Sequence, residues 1–159
     1  MKANYIDNKD GTTTVTTKQG VFIIDTEDAR KISDYYWRIE KDGYVTGYCK
    51  GNRTNVQRLI MNCPAEMCVD HINRDKRDNR KGNLRICTIA QNNMNHSTGK
   101  NNKSGYVGVI WKRRYAKWES YITLNGKTYY LGRYTDINDA IKARKDAEKK
   151  YYGEFACAD

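Results

Sequence analysis

One central segment of the chain combines two short apolar stretches with a long polar loop. Residues 67–72 and residues 83–87 have the composition of short strands. The residues between them, 73–82, are all Asn, Asp, Arg, Lys or Gly, and are too polar to be buried. Thr88 and Gln91 then match the capping box that marks the start of a helix. The segment therefore predicts the order strand, loop, strand, helix.

Three side chains of this segment are suited to hydrolytic chemistry. His71 can act as a general base, because neutral imidazole is available near neutral pH. Alternation along the strand turns Asp70 to the opposite face, where its carboxylate can bind a cation, unless the strand is locally distorted. Asn92 offers an amide oxygen from the predicted helix. One carboxylate, one amide oxygen and several waters suit Mg²⁺, and we expect Mn²⁺ to substitute for it.

Positive charge is concentrated in two of the three parts of the chain. Residues 1–49 carry 7 Lys and Arg against 8 Asp and Glu, whereas residues 50–98 carry 9 against 4 and residues 99–159 carry 13 against 7. This distribution favours a polyanion-binding surface, although a solvated surface is the alternative that charge alone leaves open. The basic residues of the central segment are Arg74, Lys76, Arg77, Arg80, Lys81 and Arg85. Either Arg80 or Arg85 could neutralise a phosphate, and the sequence does not choose between them.

The segment before residue 56 is nearly neutral and rich in strand and turn signals. Thr12–Thr17 is a run of Thr and Val that predicts one strand of a β-hairpin. Asp42 and Gly43 predict a second hairpin, since this pair suits the positive φ of a tight turn. The segment contains no catalytic constellation, and we expect it to pack against the basic centre. Residues 56–61 fit either a strand or a helix.

A polar linker separates a C-terminal module from the rest of the chain. Three stretches of this module alternate as strands: residues 106–111, residues 117–124 and residues 128–131. Asn125 and Gly126 form the turn between the last two, Thr135 or Asp136 caps a following helix, and Gly153 ends it. Five residues of this helix fall on one face and predict its contact with the sheet: Ile137, Ala140, Ile141, Ala147 and Tyr151.

The cysteines and the N-terminus predict a soluble, cytoplasmic protein. The five cysteines include no C-x-x-C pair, so we expect reduced thiols and neither a zinc site nor disulfide bonds. The N-terminal residues lack the apolar core of a signal peptide, and no apolar run approaches the ~20 residues of a membrane span.

The central segment resembles the HNH nucleases, and within them the phage-type HNH homing endonucleases with a ββα-metal active site. The resemblance covers about residues 56–96. The matching residues are Asp70 and His71, the NLR at residues 83–85 and the T-x-x-QN at residues 88–92.

This resemblance implies a role for each residue. His71 is the general base, Asp70 and Asn92 hold the metal ion, and Asn83 orients the loop of His71 without binding metal. Cleavage of double-stranded DNA leaves 5′-phosphate and 3′-hydroxyl ends, and a mobile element in a bacterial or phage-infected cell is the implied origin. His96, one helical turn after Asn92, is a rival third ligand.

The C-terminal module resembles the DNA-binding domain of plant ethylene-response factors, the apetala-two type. The matching motifs are SGYVGV at residues 104–109, tryptophans at 111 and 118, NGK at 125–127, LGRY at 131–134 and YYGEFA at 151–156. The resemblance implies a sheet that enters the major groove, and the two tryptophans are expected to pin the helix to that sheet. The plant domains have arginines where this chain has Val107, Ile110 and Thr123, so their target sequence does not carry over.

Alternation and charge select the residues that we expect to contact DNA. Those of the C-terminal module are Lys112, Arg113, Arg114, Lys117, Tyr121, Thr123 and Tyr130. Those of the central segment are Arg74, Arg80 and Arg85.

Together these observations predict an α+β protein: a ββα-metal nuclease core preceded by β-hairpins and followed by a three-stranded antiparallel sheet with one packed helix. The N-terminal segment and the core occupy residues 1–98, a linker residues 99–104 and the DNA-binding module residues 105–159. The predicted function is site-specific hydrolysis of double-stranded DNA by a homing endonuclease with one metal ion and no implied protein partner. A DNA-binding regulator with a vestigial nuclease motif is the alternative, and the intact site residues argue against it.

Overall fold

The computed structural model describes residues 2–95 and 102–156, so residues 99–101 of the predicted linker lie outside the described part. The chain divides into two compact units, Met1–Asn92 and Asn93–Asp159. Within the described ranges, several small antiparallel sheets and short helices agree with the predicted α+β class. No helix in these ranges has both the length and the apolar character needed to cross a membrane.

The first unit begins with a three-stranded antiparallel sheet. Its strands, in spatial order, are β1 (Asn4–Asp7), β2 (Thr12–Thr17) and β3 (Gly20–Asp25). The β-branched residues of β2 favour its extended conformation. Val15 faces Phe22 across the β2–β3 pair, and both are buried. One face of this sheet therefore belongs to the core.

A second antiparallel sheet follows. Its strands, in spatial order, are β4 (Tyr36–Ile39), β5 (Val45–Cys49) and β6 (Asn52–Asn55). In the sequence, the short helix α1 (Ala29–Ile32) precedes this sheet and the short helix α2 (Val56–Ile60) follows it. Gly43 has a φ of 91°, as the predicted tight turn between β4 and β5 requires. Trp37 packs over Gly47, where a Cβ atom would collide with the indole ring. The strand-or-helix ambiguity of residues 56–61 is resolved as a helix.

The central segment forms a strand pair and a single helical turn. Strands β7 (Cys68–His71) and β8 (Leu84–Cys87) are antiparallel, and α3 (Ile89–Asn92) follows them. Helix α3 is only one turn long, and Asn92 is its last residue. Asparagine has low helix propensity, and three asparagines lie among residues 92–95, which explains the early end of the helix.

The two N-terminal sheets and the strand pair share one hydrophobic core. Its buried members are Val15, Phe22, Ile24, Ile32, Trp37, Ile39, Val45, Val56, Ile60, Val69 and Leu84. Val69 belongs to β7 and Leu84 to β8, so the strand that carries His71 is packed on the N-terminal sheets. The expectation that the N-terminal segment packs against the basic centre is confirmed.

The second unit consists of a three-stranded antiparallel sheet and one long helix. Its elements are β9 (Val109–Lys112), β10 (Lys117–Leu124), β11 (Lys127–Tyr134) and α4 (Ile137–Tyr151), with β10 in the middle of the sheet. The first strand starts at Val109 and not at residue 106, because Gly105 and Gly108 adopt φ of 71° and 75°, outside the extended region. Asn125 and Gly126 both have positive φ, as a type I′ turn requires.

Helix α4 begins and ends at predicted positions, and Ala140 and Ala147 of its predicted contact face are buried. The Asp136 side chain accepts from the Asn138 N–H at 2.7 Å, and Gly153 has a φ of 55° just after the helix. Tyr152 is buried against Ile122 and Ala147, whereas the predicted contact residue Tyr151 is exposed. Trp111 is exposed and contacts Trp118, and neither belongs to the cluster of Ile122, Ala147 and Tyr152, so the role of the tryptophans in holding the helix stays a prediction.

A buried ion pair lies on the inner face of α4 and was not predicted. The Arg144 Nε donates to Glu148 Oε1 at 2.8 Å, and both side chains are almost completely buried. Tyr106 donates its hydroxyl to Glu148 Oε2 at 3.0 Å, and Arg144 Nη1 donates to the Tyr121 carbonyl. Burial of this pair is tolerated because each charged group has several hydrogen-bond partners. The pair fixes the helix against β10.

Candidate functional site

Strand β7 carries two adjacent buried polar residues, Asp70 and His71. Asp70 lies opposite Arg85 of β8, and both the Nε and the Nη2 of Arg85 donate to Asp70 Oδ2, at 2.9 Å and 2.6 Å. The Arg85 side chain is only 13% exposed. A buried carboxylate is stable when a cation compensates its charge. The strand pair thus holds Asp70, hydrogen-bonded to Arg85, next to His71.

The imidazole of His71 is oriented by a buried asparagine. His71 Nε2 lies 3.1 Å from Asn79 Oδ1, and Asn79 is 0% exposed. Asn79 Nδ2 donates to the Lys76 carbonyl at 3.2 Å, which assigns Oδ1 as the amide atom facing the histidine. The carbonyl can only accept, so His71 Nε2 carries the proton and the basic lone pair is on Nδ1. Burial lowers the pKa of His71 below its usual value near 6.5, which keeps the ring neutral at neutral pH.

Asn83 connects the two ends of the polar loop over residues 73–83. Its Oδ1 accepts from the Asn73 N–H at 2.9 Å, and its Nδ2 donates to the Asp78 carbonyl at 2.8 Å. Its own carbonyl accepts from the Ile72 N–H at 2.9 Å, directly after His71. Through these contacts, Asn83 connects the end of β7 to the start of β8.

Asp78 lies in this loop and, like Asp70 on β7, has a buried carboxylate. Arg80 binds it through two hydrogen bonds of 2.7 Å, and Asn73 donates to it at 3.0 Å. These contacts, the Arg80 hydrogen bond first, hold the pKa of Asp78 below its usual range. Arg80 and Arg85 are therefore each paired with a carboxylate. Arg74 is exposed at a position of positive φ, and Arg80 is exposed as well.

The free edge of β3 anchors this loop. The Ile23 N–H donates to the Arg77 carbonyl at 2.9 Å, and the Asn79 N–H donates to the Ile23 carbonyl at 2.8 Å. Ile23 and Asp78 form a parallel β-bridge. The loop is thus added to the first sheet as a short extra strand, and this pairing sets the position of Asn79 below His71.

The hairpin of β4 and β5 places an aromatic side chain, Tyr44, beside His71. The ring centroid of Tyr44 lies 6.2 Å from that of His71. Lys76 Nζ lies 4.0 Å above the Tyr44 ring and donates to the Asp42 carbonyl at 2.8 Å. The sequence did not single out Tyr44 or Asn79, because neither stands at a position that strand alternation or helical spacing marks.

Helix α3 packs against β7 and ends at Asn92. Thr88 and Gln91 form the predicted capping box, with Gln91 N–H donating to Thr88 Oγ1 at 3.2 Å and Thr88 N–H to Gln91 Oε1 at 2.8 Å. The described residues contain no group of three or more His, Cys, Asp or Glu side chains that could hold a metal ion. A carboxylate such as Asp70 and an amide oxygen such as that of Asn92 are ligand types that a hydrated divalent cation accepts, and such an ion needs few protein ligands. His96 lies outside the described residues.

In the second unit, the sheet face opposite α4 carries a connected cluster of charged and aromatic side chains. Glu119 is at its centre, and the Nε and Nη2 of Arg133 donate to its Oε1 at 2.9 Å and 2.6 Å. The Tyr121 hydroxyl donates to Glu119 Oε2, and Lys112 Nζ lies 3.9 Å from the same oxygen. The Tyr121 bond and the ion pair with Arg133 lower the pKa of Glu119, and the same bond raises the pKa of Tyr121 to about 12.

The residues predicted to contact DNA in this unit lie on or beside this face. Tyr121 and Tyr130 are cross-strand partners with ring centroids 5.5 Å apart, and Thr123 is bonded to Thr128 through their hydroxyls at 3.0 Å. Three basic residues are exposed around the β9–β10 connection: Arg113, Arg114 and Lys117. Glu119, Arg133 and Tyr115 have no signal in the sequence pattern, because their contacts depend on how the strands of this sheet are paired.

Comparison with known proteins places this geometry in a family. A family model described as HNH endonuclease matches residues 62–94. An uncharacterised HNH endonuclease of Acanthamoeba polyphaga mimivirus is 30% identical over 131 residues, which cover 79% of this chain and 67% of the relative. The chain belongs to the HNH endonuclease family. This HNH endonuclease is also similar to Protein 3.8 of Escherichia phage T7, with 27% identity over 93 residues that cover 58% of the chain and 76% of that protein.

As a member of this family, the HNH endonuclease is a metal-dependent nuclease, and DNA is the substrate that the family implies. The matched range contains the four predicted site residues Asp70, His71, Asn83 and Asn92. It ends at residue 94, so the apetala-two resemblance of the second unit stays a prediction. No solved structure shows a significant match.

Proposed function

We propose that this protein is a site-specific endonuclease that hydrolyses double-stranded DNA with one divalent metal ion and His71 as general base. The observation that carries the proposal is the hydrogen bond between His71 Nε2 and the buried amide of Asn79. A base must present a lone pair in a fixed direction to take a proton from the attacking water. The bond to Asn79 places that lone pair on Nδ1, and burial keeps the ring neutral.

Asp70 and Asn92 are the residues we propose to hold the metal ion, with Mg²⁺ as the natural ion and Mn²⁺ as a substitute. When bound, the ion would supply positive charge to the scissile phosphate and to the leaving 3′-oxygen. Arg85 donates two hydrogen bonds to Asp70 Oδ2, and a carboxylate is the type of oxygen ligand that a hard cation binds. Few protein ligands suffice, because Mg²⁺ retains most of its hydration shell.

Asn83 has a positioning role in this proposal. It closes the loop that carries Asn79 and so fixes the acceptor of the His71 proton. Arg74 is one of the exposed cations of the loop and is suited to contact the DNA backbone. Arg80 is hydrogen-bonded to Asp78, and Arg85 is hydrogen-bonded to Asp70. Each arginine could therefore contact a phosphate only through its remaining N–H groups.

The second unit is proposed to bind and select the DNA target, in line with its resemblance to apetala-two domains. Its open sheet face presents aromatic rings and cations in one connected cluster, a surface composition that suits a β-sheet in the major groove. We place the nuclease part in residues 1–98, a linker at 99–104 and the DNA-binding part in residues 105–159. Cleavage at one long site would make the protein a homing endonuclease.

Cleavage of supercoiled plasmid tests the catalytic assignment. Plasmid that carries the target should be relaxed or linearised in Mg²⁺ or Mn²⁺ and stay intact in EDTA. His71→Ala should abolish cleavage, a loss of at least the ~10²–10⁴-fold that a general base contributes, with DNA affinity in EDTA unchanged. A His71→Ala protein that still cleaves would contradict the role of this residue. A wild-type protein that binds but never cleaves would support a regulator with a vestigial nuclease motif.

A further inference from the structure

Glu119 is a buried acid in the middle of a sheet face that is otherwise basic and aromatic. It is 3% exposed, although it lies on the face opposite α4. Its Oε1 accepts both bonds from Arg133, and its Oε2 faces Tyr121 and Lys112. A carboxylate that is covered and bonded in this way cannot reach a base edge. Its effect is to fix the side chains that surround it.

Arg133 is the side chain that this arrangement fixes most completely. Two of its N–H bonds go to Glu119, and its Cζ lies 3.5 Å from the ring centroid of Tyr115. The ion pair sets the direction of the guanidinium within its plane, and stacking on the ring sets the plane itself. The side chain is still 34% exposed. Its Nη1 group has no partner among the residues that the structure describes, so it can donate to a ligand.

We propose that Arg133 is a specificity-determining residue that binds a guanine in the major groove of duplex DNA, with Glu119 and Tyr115 as positioning residues. This proposal rests on the proposed DNA-binding function of the second unit. An arginine donates through its two terminal nitrogens to guanine O6 and N7, a pairing that needs the guanidinium in one plane and one direction. An arginine that is already oriented loses less side-chain entropy on binding.

Phosphate contacts do not require such an arrangement. A phosphate can be approached from many directions, and exposed, flexible cations bind it well. Arg113, Arg114 and Lys117 have this character, since all three are exposed at the β9–β10 connection. Arg133 differs from them because it is held by both Glu119 and Tyr115. The negative charge of Glu119 also weakens the attraction between Arg133 and a phosphate. The geometry therefore favours a base contact for Arg133.

Selection of bound sequences from a random duplex library tests the proposal. The full-length protein is used in EDTA, so that binding is read without cleavage. The wild type should select a motif with at least one strongly preferred guanine. Arg133→Lys and Arg133→Ala should lose that preference, by about 5- to 150-fold in the affinity ratio between guanine and other bases at the position. Lys149→Ala removes one positive charge from the exposed outer side of α4 and should keep the full motif.

Glu119→Gln separates positioning from charge. This variant removes the ion pair but keeps the shape of the side chain, and it raises the net charge by one. Affinity for random duplex DNA should stay equal or rise, because phosphate binding depends on total positive charge. Discrimination at the guanine position should fall. A thermal unfolding curve for each variant shows that the fold persists, and Arg133→Lys carries the test if Glu119→Gln unfolds.

Two results would overturn the assignment of Arg133. One is a guanine preference that survives in both Arg133 variants. The other is a uniform loss of affinity across all sequences, equal for Arg133→Ala and Lys149→Ala, which would make Arg133 a phosphate contact. In both cases the protein still binds DNA, and the proposed function of the unit stands. A wild-type protein without measurable affinity for any duplex would instead refute the DNA-binding function, and with it the role of Arg133.

Discussion

At the scale of single residues, the chemistry of His71 depends on the amide of Asn79. Asn79→Ala removes the acceptor of the Nε2 proton and leaves the imidazole free to rotate or change tautomer. We expect a decrease in the single-turnover cleavage rate on the order of 10- to 100-fold, a part of what a general base contributes. The Kd for DNA in EDTA should not change. Asn79→Asp keeps an acceptor oxygen at the same place and should recover part of the rate.

The opposite pattern would contradict this role. If Asn79→Ala cleaves at the wild-type rate, the orientation of His71 does not depend on the amide. If Asn79→Asp is as slow as Asn79→Ala while both unfold at a lower temperature than the wild type, Asn79 only stabilises the loop. Rate and stability have to be measured on the same preparations, since the buried amide also bonds to the Lys76 carbonyl.

Asp70, His71 and their partners differ in how far the sequence could predict them. Asp70 and His71 could be singled out because an acid and an imidazole stand next to each other on a predicted strand. Side chains of adjacent strand residues point to opposite faces, which gives each of the two a separate role. Asn79 stands in a run of Asn, Asp and Arg in which every residue has the composition of an exposed loop. Its complete burial arises from a long-range pairing with Ile23, and local sequence patterns contain no information on such a contact.

At the scale of secondary-structure elements, the pairing of β3 with the loop is open to a direct test. Ile23→Pro removes the N–H that donates to the Arg77 carbonyl, without removing a bond between β3 and β2. Val21 lies two residues earlier, and its amide points to the same edge but donates to none of the described loop residues. Ile23→Pro should therefore reduce the cleavage rate and the melting temperature more than Val21→Pro, with about 1 kcal/mol of stability lost from the hydrogen bond.

Equal effects of the two proline variants would show that the pairing does not position the loop. Cleavage of the target plasmid and thermal unfolding provide the two readouts. A larger loss of cleavage than of stability in Ile23→Pro would identify the edge of β3 as part of the catalytic architecture.

Element type was more predictable than element contact. Turns with Asp-Gly and Asn-Gly, the capping box of α3 and the cap and end of α4 all depend on residues close in sequence, and they occur where expected. The helix face of α4 was predicted from apolar residues alone, which overlooked the ion pair of Arg144 and Glu148. Charged residues rank as surface residues in any pattern analysis, because burial of a charge depends on partners from other strands.

At the scale of the whole molecule, the excess of positive charge should act through particular surfaces. Three exposed cations lie at the β9–β10 connection: Arg113, Arg114 and Lys117. Four others are exposed on α4, and three of these serve as the comparison set: Lys142, Lys149 and Lys150. Replacing either set by alanine lowers the formal net charge of +10 by the same amount, so a difference between the two variants reports on position and not on total charge.

The salt dependence of DNA affinity measures this difference. Each phosphate contact contributes a slope of about −0.9 to the plot of log K against log salt concentration for duplex DNA. The variant without Arg113, Arg114 and Lys117 should have a slope that is less steep by up to about 3 × 0.9, because these cations release counterions on binding. The α4 variant should keep a slope near that of the wild type. Equal slopes for both variants would assign DNA binding to diffuse charge, and a flatter slope for the α4 variant alone would place the DNA on the helix and not on the open sheet face.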